Sequence, residues 1–199
     1  MSLQLNLEKR EYMTNTSFSC TPFFHGMLVR VPIIKNEPFM KTPKRARGGQ
    51  IMENVIYVAI FFALEAVEAA VEQKGGVTLE KAIALPHVTL AFRPSDEEMQ
   101  LLHQLLGKEI EVSLDEFAYN DRNAGFRVSV TTPNSVVEDF LKGKLPHITT
   151  SVSQEGRPVE TPKLFDGSFE NVNFVQVDSQ TIVGRVGLFC SDGQVHYES

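Results

Sequence analysis

The sequence predicts a bilobal α+β fold: two pseudo-symmetric, antiparallel-rich sheets with flanking helices and a central cleft. Three observations carry that prediction. A five-residue phrase occurs twice, sixty residues apart, as Leu85-Pro86-His87-Val88-Thr89 and Leu145-Pro146-His147-Ile148-Thr149. Each copy lies in an apolar, β-branched stretch, 84–92 and 145–152, that reads as a strand. Each is preceded by a strand and then a helix, residues 55–74 before the first and 126–142 before the second. That order is a diverged internal duplication of β-α-β type.

Residues 1–20 are polar and weakly patterned, predicting little fixed structure. Residues 23–34 hold enough β-formers for a strand, which Gly26 and Pro32 confine to a sheet edge. Residues 41–49 form a basic loop that reads first as a solvated connector, with an RNA-backbone contact or a nuclear-targeting patch as alternatives. Residues 55–62 are continuously apolar apart from Tyr57, as a central strand buried on both faces should be. The segment 63–74 is rich in Ala and Glu, and Leu64, Val67 and Val71 make one apolar stripe before Gly75-Gly76 stops the helix.

Ser95 followed three residues later by Glu98 is a capping box opening a second helix, which runs through Leu106 to Gly107. His103 on that helix reads as a surface residue. Residues 109–117 alternate as a half-buried strand, 120–125 are turn-forming, and 126–132 make the return strand. A short helix spans 135–141. Two further strands are expected at 172–177 and 182–189, the second loosened by Gly184 and Gly187.

The 199 residues suit a two-lobed domain over 51–199 behind an N-terminal extension, 1–50. The net charge of −6 argues against a general nucleic-acid coat. Residues 1–50 carry eight Lys or Arg against three Asp or Glu (+5), leaving eleven against twenty-two (−11) for 51–199. Nucleic-acid contact is therefore expected in a pocket or through the basic arm, not over a broad face. Cys20 and Cys190 have neither metal nor redox spacing, and free thiols in an intracellular protein are the simplest inference, a single bridge between them the alternative. No signal pattern or bilayer-length apolar run is present, so the expectation is a soluble, cytoplasmic monomer with no membrane partner, with the nucleus as a second location.

On a strand, His87 and Thr89 point one way and Val88 the other, and the same holds for His147, Thr149 and Ile148. Two such pairs brought together supply a proton acceptor, a proton donor and two hydroxyl donors around one small anion. Histidine suits both proton roles because it titrates near neutrality. That is equipment for phosphodiester chemistry without a metal or other cofactor, and the sequence has no His-Glu-x-x-His, Cys-pair or EF-hand pattern.

The paired motifs, with the strand and helix order between them, resemble the two-histidine (2H) phosphoesterase superfamily over about residues 55–190. This family includes bacterial RNA cyclic phosphodiesterases, the cyclic phosphodiesterase domain of fungal tRNA ligases, and phage enzymes that degrade cyclic oligonucleotide signals. The stretch Pro86 to Leu90 is most similar to the tRNA-ligase type. The resemblance implies hydrolysis of a 2′,3′-cyclic phosphate on RNA 3′ ends or nucleotides, with His87, Thr89, His147 and Thr149 as catalytic residues. A nuclease for 2′-5′ or cyclic oligonucleotides, a nucleotide-binding module without turnover, and a metal-dependent hydrolase using His25, His87, His147 or His196 are the alternatives. Substrate contacts are expected from Arg93 and Lys144 as phosphate-neutralising cations, from Tyr57 as a base-stacking ring, and from Ser151 as an added hydroxyl on the His147 face. Pocket walls are expected at 93–95, 119–125 and 154–168.

Overall fold

The computed structural model describes residues 54–198. The expected strand at 23–34, the basic loop, the boundary at residue 50, Cys20 and His25 lie outside them.

The apolar run forms β1 (Val55–Phe62), followed after one residue by α1 (Leu64–Gln73), which buries Val67, Ala70 and Val71. Then come a two-residue strand β2 (Lys81–Ala82), β3 (His87–Phe92) and α2 (Asp96–His103). At the start of α2 the Ser95 hydroxyl accepts the Glu98 N–H and the Glu98 carboxylate accepts the Ser95 N–H, so two orphan donors are satisfied reciprocally. β4 (Glu109–Tyr119) and β5 (Asn123–Val130) form the expected hairpin. The Asn134 carboxamide caps α3 (Ser135–Leu141) by accepting the Val136 and Val137 N–H groups. β6 (His147–Val152), a 3-10 helix (Pro158–Leu164), β7 (Asn173–Cys190) and β8 (Val195–His196) complete the chain.

Every strand pairing is antiparallel, in the order β2-β6-β5-β4-β7-β1-β3 with β8 on β7. The α+β, antiparallel-rich class is as the pattern predicts. The two lobes are halves of one hydrogen-bonded sheet, joined where a single 18-residue strand replaces the two strands expected at 172–177 and 182–189. The first part of β7 pairs with β4 and the last with β1, and Gly184 faces Ile110 on one side and Phe62 on the other. Gly184 makes this junction possible. A Cβ there would stand 2.6 Å from Ile60 Cγ2 and from the Phe62 ring, so its missing side chain makes room where the sequence suggested mere loosening.

β3 ends the strand order and β6 is next to last at the other end, yet the two pack side by side. The sheet therefore curls until its ends meet. α3 packs against β3 and α1 against β6, so each helix covers the motif strand of the other half. Val58, Ile60, Leu90, Phe126 and Ile148 face the common core beneath. Among the described residues no helix is long and apolar enough to cross a membrane.

Gly184→Ala is expected to cost about 1–3 kcal/mol, the usual range for overpacking a filled core, seen as a lower urea midpoint with an unchanged denaturant slope.

Candidate active site

The two motif strands repeat each other residue by residue. On β3, His87 pairs with Phe61 and Thr89 with Ala59 across β1; Leu90 is then extra, and Ala91 pairs with Val58. On β6, His147 pairs with Arg127 and Thr149 with Gly125 across β5; Thr150 is extra, and Ser151 pairs with Ala124. A β-bulge therefore follows each His-x-Thr directly. The Pro carbonyl of each motif accepts a backbone N–H at 3.0 Å, from Phe62 in the first copy and from Val128 in the second.

The bulges decide which side chains face the cleft. With strict alternation Ser151 would join His147 and Thr149, as the sequence suggested. The extra residue turns it over instead: Ser151 is fully buried and its hydroxyl accepts the Leu79 N–H at 2.9 Å. The same displacement works in reverse on β3. Ala91 goes into the core, and Phe92, opposite Tyr57, joins the His87–Thr89 face.

Both imidazoles are held alike. His87 Nδ1 lies 2.7 Å from the Leu85 carbonyl and His147 Nδ1 lies 2.9 Å from the Leu145 carbonyl. A carbonyl only accepts, so each Nδ1 carries the hydrogen and Nε2 is left to exchange protons. Burial pushes the His87 imidazole below its ordinary value of 6.5; its hydrogen bond to Leu85 opposes this, and the charge of a protonated His147 pushes it down again. Burial also lowers His147, against the bond to Leu145.

A cavity of about 320 Å³ opens between the motifs, lined by Thr89 and Phe92 from the first and by Lys144, Leu145 and His147 from the second, with Pro162 beside them. His87 and Thr149 are not among its lining residues; each is two residues along its strand from one that is, Thr89 and His147. Lys144 donates to the Leu90 carbonyl at 2.7 Å, satisfying the bulge of the opposite motif strand, and its side chain forms part of the cavity wall.

Tyr57 and Arg93 are not part of the cavity wall. Tyr57 stacks on His87, with ring centres 4.8 Å apart and planes at 22°. Phe189, on the neighbouring strand, stacks on Tyr57 at 4.9 Å. Since β1 lies between β3 and β7, both faces of the phenol are covered, and Tyr57 packs the histidine where the sequence suggested a nucleobase platform. Arg93 is exposed, with its guanidinium 5.3 Å from the centre of the Phe92 ring. His103 is exposed at the end of α2, and His196 pairs with Asp192 at 3.1 Å in the β7–β8 hairpin. Among the described residues no three His, Cys, Asp or Glu side chains are grouped to hold a metal. The Cys190 thiol is buried.

Two neighbours of the site, Phe92 and Arg127, have no signal in the sequence, and a third, Thr161, falls within the wall expected at 154–168 without being singled out. Phe92 could not be placed because nothing in its spacing announces the bulge. Arg127 lies directly across from His147 and 3.7 Å from Glu116, and its position on a strand alone does not mark it. Thr161 lies in a stretch that reads as loop and forms part of the 3-10 helix.

No family model matches the chain, and no curated protein matches it. Among solved structures it is similar to a fungal RNA kinase, with a TM-score of 0.47 and 16% identity over 66% of this chain and 45% of that one. The chain thus spans less than half of that structure, and a likeness at this level carries no argument about function.

In the unfolded chain both imidazoles take up protons near pH 6.5, while in the folded protein they do so only at lower pH. Between those values the unfolded chain binds more protons, so their contribution to stability is complete above pH 6.5 and is lost as pH falls. The urea midpoint is expected to drop from pH 7.5 to 5.5, a range above ordinary carboxylate titration, and to drop less in a His87→Gln/His147→Gln variant.

Proposed function

We propose that this protein is a phosphodiesterase that hydrolyses a 2′,3′-cyclic phosphate on an RNA 3′ end or a nucleotide, using His87 and His147 as its acid/base pair. The observation that carries the reading is the repeated geometry of two His-x-Thr strands, each with its imidazole anchored through Nδ1, meeting at one cavity. One neutral imidazole takes a proton from water as the water oxygen bonds to phosphorus. The bond from phosphorus to one ribose oxygen breaks, and the protonated imidazole on the other side gives its proton to that oxygen. The products are a phosphomonoester and a free ribose hydroxyl, and the protons balance with no metal in the scheme.

Thr89 and Thr149 donate to the non-bridging oxygens, where charge accumulates. Lys144 adds a cation at the cavity wall, and Arg127 another beside His147. Arg127 is ion-paired with Glu116, so Lys144 is the local cation for a single phosphate at a cleft with no basic face around it.

His87→Ala and His147→Ala are each expected to lower turnover of a 2′,3′-cyclic nucleotide by about 10²–10⁴, the usual worth of one proton transfer. Since burial lowers both imidazoles, the midpoint of the pair lies below 6.5, and the bell-shaped profile of kcat/KM should peak on the acid side of that value. Full activity in either alanine variant, measured with separated 2′ and 3′ monophosphate products, would refute the proposal.

A further inference from the structure

The two threonines are not equivalent. Thr89 is half-buried, whereas Thr149 is only 8% exposed and its hydroxyl lies 2.9 Å from that of Thr161, which is fully buried. Thr161 Oγ1 also accepts a hydrogen bond of 3.0 Å from Nδ2 of Asn123, another fully buried residue. The second hydrogen of that amide goes to the Arg157 carbonyl at 2.8 Å, which fixes the amide's orientation.

Proton placement along this chain follows from donor and acceptor counting. Thr161 already accepts from Asn123, and its own hydrogen, shut away from water, needs an acceptor. The 2.9 Å contact admits either hydroxyl as donor, and of the two orientations only the one in which Thr161 donates to Thr149 gives that hydrogen an acceptor. With that lone pair taken, the hydrogen of Thr149 turns away from Thr161. The Pro158 carbonyl, 3.4 Å away, is too distant to hold it firmly.

The scaffold is built to keep this chain in register. Gly125 lies directly across from Thr149, and a Cβ on it would come within 2.8 Å of the Thr161 methyl and 2.5 Å of the Ile148 carbonyl. The helix carrying Thr161 is clamped to the β4–β5 turn by Arg122 on Glu160 at 3.2 Å, with Lys163 on the same carboxylate at 3.0 Å. Asn123 itself donates its backbone N–H to the Asn120 side chain at 2.8 Å. In the first copy the position matching Asn123 is Tyr57, which stacks on His87 and supplies no amide.

We infer that Asn123 and Thr161 are positioning residues that hold the Thr149 hydroxyl as a pre-aimed hydrogen-bond donor to the bound phosphate, an arrangement that the first motif lacks. The inference rests on the phosphate-site reading above. A donor aimed in advance stabilises the transition state without reorganising during the reaction.

The test is a pair of double-mutant cycles, Thr161→Val and Asn123→Ala, each made in the parent and in Thr149→Val. In the parent, each is expected to lower kcat about tenfold or more with KM within twofold, short of the roughly 10²–10³ of losing a transition-state donor outright. In Thr149→Val each should change kcat by no more than about twofold, and Thr161→Ser should recover most of what Thr161→Val loses. An equal loss in both backgrounds, or a Thr161→Ser protein as impaired as Thr161→Val, would overturn the relay. Asn123→Ala carries the test if Thr161→Val does not fold. The same cycles read on the Kd of inorganic phosphate need no turnover. A parent that binds phosphate but cleaves no cyclic phosphate refutes the hydrolytic reading and leaves the relay to be decided by the binding cycles. A parent that binds no phosphate overturns the relay too.

Discussion

The site depends on two strands from opposite ends of one sheet being held against each other. Edge strands expose carbonyls that need donors, and a bulge frees one more. Here each half satisfies the bulge of the other: Lys144, three residues before the second His, donates to the Leu90 carbonyl, and the Ile83 N–H, four residues before the first His, donates to the Thr150 carbonyl at 2.9 Å. With α1 on β6 and α3 on β3, the halves are tied crosswise. Separating them would strip a donor from each bulge carbonyl and uncover the helix faces packed on β3 and β6 at once.

The crosswise tie also explains why two histidines can stand in a partly dry cleft. Desolvation and mutual repulsion both work against a charged imidazole, while the Leu85 and Leu145 carbonyls favour it. These carbonyls belong to the residues just before each Pro-His, so the motif carries its own anchor. Because that anchor occupies Nδ1 in either protonation state, titration is confined to Nε2.

Much of this was legible in the chain. The paired phrases, the strand-helix-strand order, the capping box at Ser95 and the hairpin at 109–130 are local signals, and local sterics and hydrogen bonding decide them. What period-two reading could not deliver was the face of any residue beyond a bulge. One inserted residue reverses every later side chain, and so Ser151 was assigned to the cleft and Phe92 left out of it. Tyr57 is a different case: its aromatic character is plain in the sequence, but its partners Phe189 and His87 come from distant strands. The relay through Asn123 and Thr161 spans 38 residues and a 3-10 turn, and no periodicity records it.

Duplication by itself would make a poor acid/base site. The proposed reaction needs one imidazole protonated and the other neutral at the same moment. Two identical, independent groups at the pH of their shared pKa adopt that one arrangement in only about a quarter of molecules. Making the two environments unequal raises the fraction. In this protein the surroundings diverge where the backbone does not: Phe61 stands across from His87, with Tyr57 and Phe189 stacked behind it, whereas Arg127, paired with Glu116, stands across from His147. An aromatic wall and an ion pair act differently on an imidazolium, the first offering a π-face and the second a field of mixed sign. Under the proposed function, the symmetry of the backbone brings the groups together and the asymmetry of their neighbours divides the labour between them.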